Sequence, residues 1–223
     1  MRGVFVTGTD TGAGKTVVAA TIAAALAARG ERVAAFKPVI TGLDDEPGEW
    51  PADDELLAAH ATCGQSREDV APVRFGPPVS PHYAAELAGT AIDPAELVAS
   101  ARTAGVGVDA LVCEGVGGLL VPLTRGYFVR DFALDLQLPL VVAARPGLGT
   151  ISHTLLTLEA ARVAGLDVRA VVLTPWPSEP PGIALSNRGT IEELGRVAVE
   201  VLPETTASAV ADAGRGLPVE DWL

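Results

Sequence analysis

Lysine is almost missing from this chain: Lys15 and Lys37 are its two lysines in 223 residues. Basic residues are few altogether, 16 against 28 acidic ones, and the formal charge is −12. A surface of that sign repels phosphate backbones, so no nucleic-acid partner is expected. A lysine that does fall inside a motif gains weight from its scarcity. Aromatic residues make up 4% of the chain, so Val, Leu, Ile and Ala must fill the core. That favours buried parallel strands covered by Ala-rich helices. Cysteine is limited to Cys63 and Cys113, far apart and without metal-ligand spacing. Cys113 lies in an apolar run and reads as a buried core thiol. Long apolar runs are lacking as well, and nothing approaches the roughly 18 residues of a membrane span. The apolar stretch at residues 4–7 is too short for a secretory signal and leads directly into a loop motif. A cytoplasmic protein without a membrane partner is expected.

What is present is alternation. Strand-like runs at residues 4–7, 32–36, 111–113, 140–144, 168–173 and 197–202 are interleaved with helical patterns. The helices are expected at 15–29, 54–61, 94–104, 129–137 and 151–164. Gly30 and Gly165 stand where a helix C-terminus favours glycine. No internal repeat interrupts the pattern. It predicts a single α/β domain over residues 1–223, with a mostly parallel sheet and helices on both faces. The least regular stretches are 41–51, 76–81 and 176–182. In such sheets ligands bind at the carboxyl ends of the strands.

The first strand leads into GTDTGAGKT, residues 8–16, and then a helix. Strand, glycine-rich loop, Lys-Thr and helix form the context of a P-loop that cradles the phosphates of a nucleoside triphosphate. Glycine lets backbone N–H groups face the phosphates, and the helix N-terminus adds partial positive charge. Lys15 is expected to reach the β- and γ-phosphates, and Thr16 to bind Mg²⁺. The spacing is unusual, because Gly8 stands one residue too far from Gly14 and Thr9 takes the expected glycine position.

Three further residues follow strands or open helices. Lys37 directly follows the second strand, where a second cation would stabilise charge developing between phosphate and acceptor. Glu114 ends the apolar run Leu111, Val112, Cys113, the arrangement of a Walker B acid that binds Mg²⁺ or its water. Asp54, in ADDEL, is expected to open a helix, as a cap or dipole partner or as a second metal carboxylate.

Together GTDTGAGKT, KPVITG, VSPH (79–82), EGVGGLLVP (114–122) and LGTISHTLLT (148–157) resemble the dethiobiotin synthetases. The resemblance runs from Val4 to about Pro203, in the family's order and spacing. It implies a homodimeric P-loop enzyme of biotin synthesis. Such an enzyme converts 7,8-diaminononanoate, CO₂ and ATP into dethiobiotin, ADP and phosphate with Mg²⁺. By resemblance, Lys37, Lys15 and Thr11 are catalytic. Gly12, Ala13, Gly14, Lys15, Thr16 and Val17 wrap the phosphates, and Glu114, Gly115, Val116 and Gly117 line the nucleotide site. Thr174 and Pro203 match base-contacting positions. Thr16, Asp54 and Glu114 match the Mg²⁺ positions. Thr41 matches a diamine contact, and Thr150, Ile151 and Ser152 match a segment of the partner subunit that binds the substrate carboxylate. His153 and His82 read as hydrogen-bonded structural histidines.

The chain departs from the family in two places. Gly12 stands where a glutamate is common, and the Asn-Asp pair that reads adenine is replaced within Leu173, Thr174, Pro175 and Trp176. Tolerance for other nucleotides is expected from the second. The alternative class is a partitioning-type P-loop ATPase switch. That class carries a signature lysine early in the loop, where this chain has Asp10. An amidotransferase-pathway synthase shares the loop but carries a glutaminase domain, for which this chain has no room.

Overall fold

The computed structural model describes residues 1–46 and 48–223. Strand β1 (Gly3–Gly8) is followed by helix α1 (Lys15–Ala27), then β2 (Val33–Phe36) and the two-residue β3 (Val39–Ile40). Next come α2 (Asp53–His60), α3 (Arg67–Val70), β4 (Val73–Arg74), α4 (Pro81–Leu87) and α5 (Pro94–Ala104). The middle of the chain forms β5 (Ala110–Gly118), β6 (Pro122–Thr124), β7 (Tyr127–Phe128), α6 (Val129–Leu136) and β8 (Leu140–Ala144). The last part forms α7 (Thr150–Val163), β9 (Val168–Trp176), α8 (Gly182–Gly195), β10 (Ala198–Pro203) and the short α9 (Val210–Ala213) among 3₁₀ turns.

Six strands make one parallel sheet in the order β10-β9-β8-β1-β5-β2. The expected α/β class and covered parallel sheet are therefore found. Strand periodicity sets the two layers. Val4 and Val6 face α1, where they pack with Val18, Ile22 and Leu26, while Phe5 points to the other face with Phe36 and Phe132. Phe5 and Phe132 meet edge to face, with ring centroids 6.0 Å apart. With few aromatics, this trio carries much of the large-volume packing on that face. A Phe132→Ala variant is expected to lose about 3–5 kcal/mol of unfolding free energy, measured by urea denaturation.

The differences from expectation matter for the site. The helix expected at 54–61 begins one residue earlier, at Asp53. Strand β5 runs on to Gly118, which pairs with Gly8 and brings the β5 end against the phosphate loop. Helix α8 was not expected, because its glycines at 182, 189 and 195 weaken the helical pattern. Strands β3 and β4 pair with each other as a separate two-stranded ribbon. The stretch 41–51 carries no helix or strand in its described residues, and Pro47 lies outside them.

Candidate active site

The phosphate loop leaves β1 at Gly8 and re-enters helix at Lys15. Gly14 has φ of +86° and lies so close to Thr174 that a Cβ would stand 2.5 Å from the Thr174 methyl. Any other residue would meet both the left-handed penalty and that clash. Among the described residues no side chain caps α1, so its first N–H groups face the loop. Lys15 Nζ donates to the Asp10 carbonyl at 3.0 Å, across the loop. Burial lowers the Lys15 pKa, and Glu114 opposes that shift.

Lys37 follows β2, and its backbone N–H donates to the Val70 carbonyl at the end of α3, at 2.8 Å. Its Nζ donates to Asp53 Oδ2 and to Glu114 Oε1, each at 2.6 Å, and the residue is 4% exposed. Burial alone would lower the Lys37 pKa. The two carboxylates override it and hold the ammonium charged, above the ordinary lysine value. Thr16 Oγ1 lies 2.9 Å from Asp53 Oδ1 and 3.0 Å from Glu114 Oε1. One hydroxyl, two carboxylates and one ammonium thus converge beside Lys15.

The acid turned toward Thr16 and Lys37 is Asp53 rather than Asp54. Asp53 is the first helical residue of α2 and turns its carboxylate to Thr16 and Lys37. Burial opposes its ionisation, but Lys37 and the bond from Thr16 win, and its pKa is lowered. Asp54 lies about 100° further round the helix. Its fully buried carboxylate takes Arg67 and Arg74. Asp54, expected to open the helix as a cap or as a metal carboxylate, has both its oxygens bonded to guanidinium groups outside the cleft.

These residues line a cleft of about 770 Å³. It brings together Thr11, Gly12, Gly14, Lys15, Thr16 and Val17 with Lys37, Thr41, Glu114, Val116 and Gly117. Thr174 and Pro203 line it as well. Ala13 and Gly115 lie outside the lining, as do Thr150, Ile151 and Ser152 of the same chain. Sequence reasoning missed Asp53, Asp45 and Trp50, which line the cleft from 41–53. The shared ADD sequence could have flagged Asp53, but only the helix phase chooses between neighbours. His82 Nδ1 sits 3.0 Å from the Ser80 hydroxyl, which also lines the cleft. His153 is exposed at the start of α7.

The oxygen donors suit a hard cation. Mg²⁺ is commonly held by one or two carboxylates together with phosphate oxygens and waters. Glu114 Oε2 is buried with no hydrogen-bond partner among the described residues, a lone pair that such a cation would satisfy.

A parallel sheet with a glycine-rich loop after its first strand, opening a helix at Lys-Thr, defines a P-loop nucleotide-binding protein. The family model described as an AAA domain matches residues 2–206. The chain is 41% identical over 204 residues to the ATP-dependent dethiobiotin synthetase BioD of Anaeromyxobacter sp. (strain K), covering 91% of this chain and 90% of that one. It is 34% identical over 194 residues to the protein of the same name from Bacillus subtilis (strain 168), covering 87% and 83%. The chain belongs to the ATP-dependent dethiobiotin synthetase family. Among solved structures it resembles the Pyrococcus furiosus cell division ATPase MinD, with a TM-score of 0.54 and 18% identity, over 98% of this chain and 90% of that one. That likeness is one of fold.

Proposed function

We propose that the chain, acting as one P-loop domain over residues 1–223, makes dethiobiotin, ADP and phosphate from 7,8-diaminononanoate, CO₂ and ATP. The observation that carries this reading, beside the family relationship, is Lys37. It is a buried cation at a strand end, next to the P-loop lysine, in a chain with no other lysine. One amine takes up CO₂ and loses a proton to give a carbamate. A carbamate oxygen attacks the γ-phosphorus and ADP leaves. The second amine attacks the carbonyl carbon of the mixed anhydride, the C–O bond to phosphate breaks, and the ureido ring closes. Every species near the transferred group is anionic, so positioned cations and loop N–H groups meet the demand without a protein nucleophile.

Lys15 and the loop N–H groups hold the phosphates, and Lys37 with Thr11 holds the carbamate. Thr41 lies along the cleft where the diamine runs, and Thr174 and Pro203 flank the base. Thr16, Asp53 and Glu114 hold Mg²⁺, which supplies neutralisation of phosphate charge.

The substrate carboxylate is bound by a second copy of the chain. Thr150, Ile151 and Ser152 open α7; the Thr150 N–H donates to the Gly147 carbonyl at 3.3 Å, and those of Ile151 and Ser152 suit an anion, yet all three residues lie outside their own cleft. The same helix carries exposed Leu156 and Val163, with Leu148 just before it. Leu156 and Val163, seven residues apart, fall on one helical stripe, a face that a homodimer would cover. Among the described residues no helix is long and apolar enough to cross a membrane. Cytoplasmic soluble substrates suit the proposal.

The test is direct. Protein incubated with diaminononanoate, bicarbonate, Mg²⁺ and ATP is expected to give dethiobiotin and one ADP per product, read by mass spectrometry. No product with any common nucleoside triphosphate would overturn the assignment. The switch-type alternative would instead predict ATP-dependent binding to DNA or liposomes without ring closure.

A further inference from the structure

Asp54 is a fully buried carboxylate that the reaction does not use. Arg67 grips it with two bonds, from Nε to Oδ2 at 2.8 Å and from Nη2 to Oδ1 at 3.0 Å. Arg74 Nη1 donates to Oδ2 at 2.6 Å. Three charge-assisted bonds from two guanidinium groups thus hold the one carboxylate in place.

The three partners belong to three elements that each lead to the cleft. Asp54 sits in the first turn of α2, next to Asp53. Arg67 opens α3, and the far end of that helix accepts the Lys37 backbone N–H through Val70. Arg74 lies on β4, opposite Ile40 of β3, one residue before Thr41. Helix α2 has no side-chain N-cap among the described residues, and its first turn crowds Asp53, Asp54 and Glu55. The three bonds from Arg67 and Arg74 fix the rotation of the helix start. That rotation decides whether position 53 faces Thr16 and Lys37.

We propose that Asp54, Arg67 and Arg74 form a positioning clamp that holds Asp53 in register with Lys37, Thr16 and Glu114, and so sets the affinity of the site for Mg²⁺-nucleotide. This rests on the reading of Asp53 as a magnesium ligand. Outer-shell partners of ligands are worth about 10–100-fold in metal affinity.

The experiment titrates ADP into the full chain by calorimetry over a series of Mg²⁺ concentrations, without diamine. In Arg74→Met, the Mg²⁺ concentration that half-completes the gain in ADP affinity is expected to rise about tenfold. Affinity without Mg²⁺ is expected to stay within about twofold, because the P-loop contacts remain. Arg74→Lys is expected to restore most of the loss, since a cation again meets Oδ2. Arg67→Met is the second variant, useful because its half-exposed guanidinium is the less buried partner. It is expected to shift the Mg²⁺ dependence the same way. A lower melting temperature with wild-type Mg²⁺ dependence in both methionine variants would overturn the proposal and leave a structural brace. An ADP affinity in the unaltered chain that ignores Mg²⁺ would overturn it too. Failure to form dethiobiotin would instead sink the proposed reaction and leave this readout standing.

Discussion

A Lys37→Ala variant is expected to form dethiobiotin at least ~10²-fold more slowly, with the loss in kcat rather than in KM for ATP. The reason lies in the charge arrangement. Lys37 is 4% exposed and bonded to two carboxylates at 2.6 Å. It is the second cation of a site in which carbamate and phosphate must approach each other. In the proposed reaction, removing it takes away a cation beside the developing charge, where fixed donors act without reorganising. The ATP phosphates keep Lys15 and the loop N–H groups, so nucleotide binding should change little. The same substitution strips Glu114 and Asp53 of their shared counter-ion. Breaking a buried pair costs about 3–5 kcal/mol, so thermal stability is expected to fall as well. Measuring kcat well below the variant's melting transition separates the two effects. Near wild-type turnover in the folded variant would end this account of the chemistry.

The second large effect is expected at Asp53. An Asp53→Asn variant keeps the size of the side chain and can still accept from Thr16, but it loses the charge. The Mg²⁺ concentration for half-maximal turnover is expected to rise at least tenfold, because a carboxamide is a weaker ligand for a hard dication. The cluster now holds two lysines and two carboxylates, Asp53 and Glu114, so the change also leaves an excess positive charge. Titrating MgCl₂ at saturating ATP and diamine reads the shift. If Asp54→Asn raised the Mg²⁺ requirement more than Asp53→Asn, the direct ligand would be the neighbour and the helix phase described above would be wrong.

How much of this was legible beforehand depends on where each residue sits. The loop at 8–16, Lys37 and Glu114 stand at the ends of apolar strands, and strand ends are visible as the point where an apolar run stops. The parallel sheet followed from β and α runs in alternation. Asp53 against Asp54 was not legible, because helix starts read from sequence are uncertain by a residue or more, and one residue turns a side chain by about 100°. The clamp was hidden for a related reason. Arg67 and Arg74 lie 13 and 20 residues beyond Asp54, on a four-residue helix and a two-residue strand too short to leave a periodic trace. Helix α8 was masked by its glycines. Trp50 and Asp45 enter the cleft through the path of an irregular loop, which no pattern encodes. The position of α7 outside its own cleft is likewise a matter of tertiary arrangement.

The scarcity of lysine has a practical consequence for spectroscopy and chemical labelling. Both lysine side chains, 7% and 4% exposed, lie in the cleft, and positive charge elsewhere on the side chains comes from arginine. Arginine stays protonated and resists ordinary amine reagents. Selective isotope labelling of lysine would therefore give two side-chain resonances, each a reporter placed at the reaction centre with no background from the surface. An acylating reagent small enough to enter would likewise find its lysine target in the site, at Lys15, because Lys37 is held as the unreactive ammonium, and nucleotide occupancy would show as protection of Lys15.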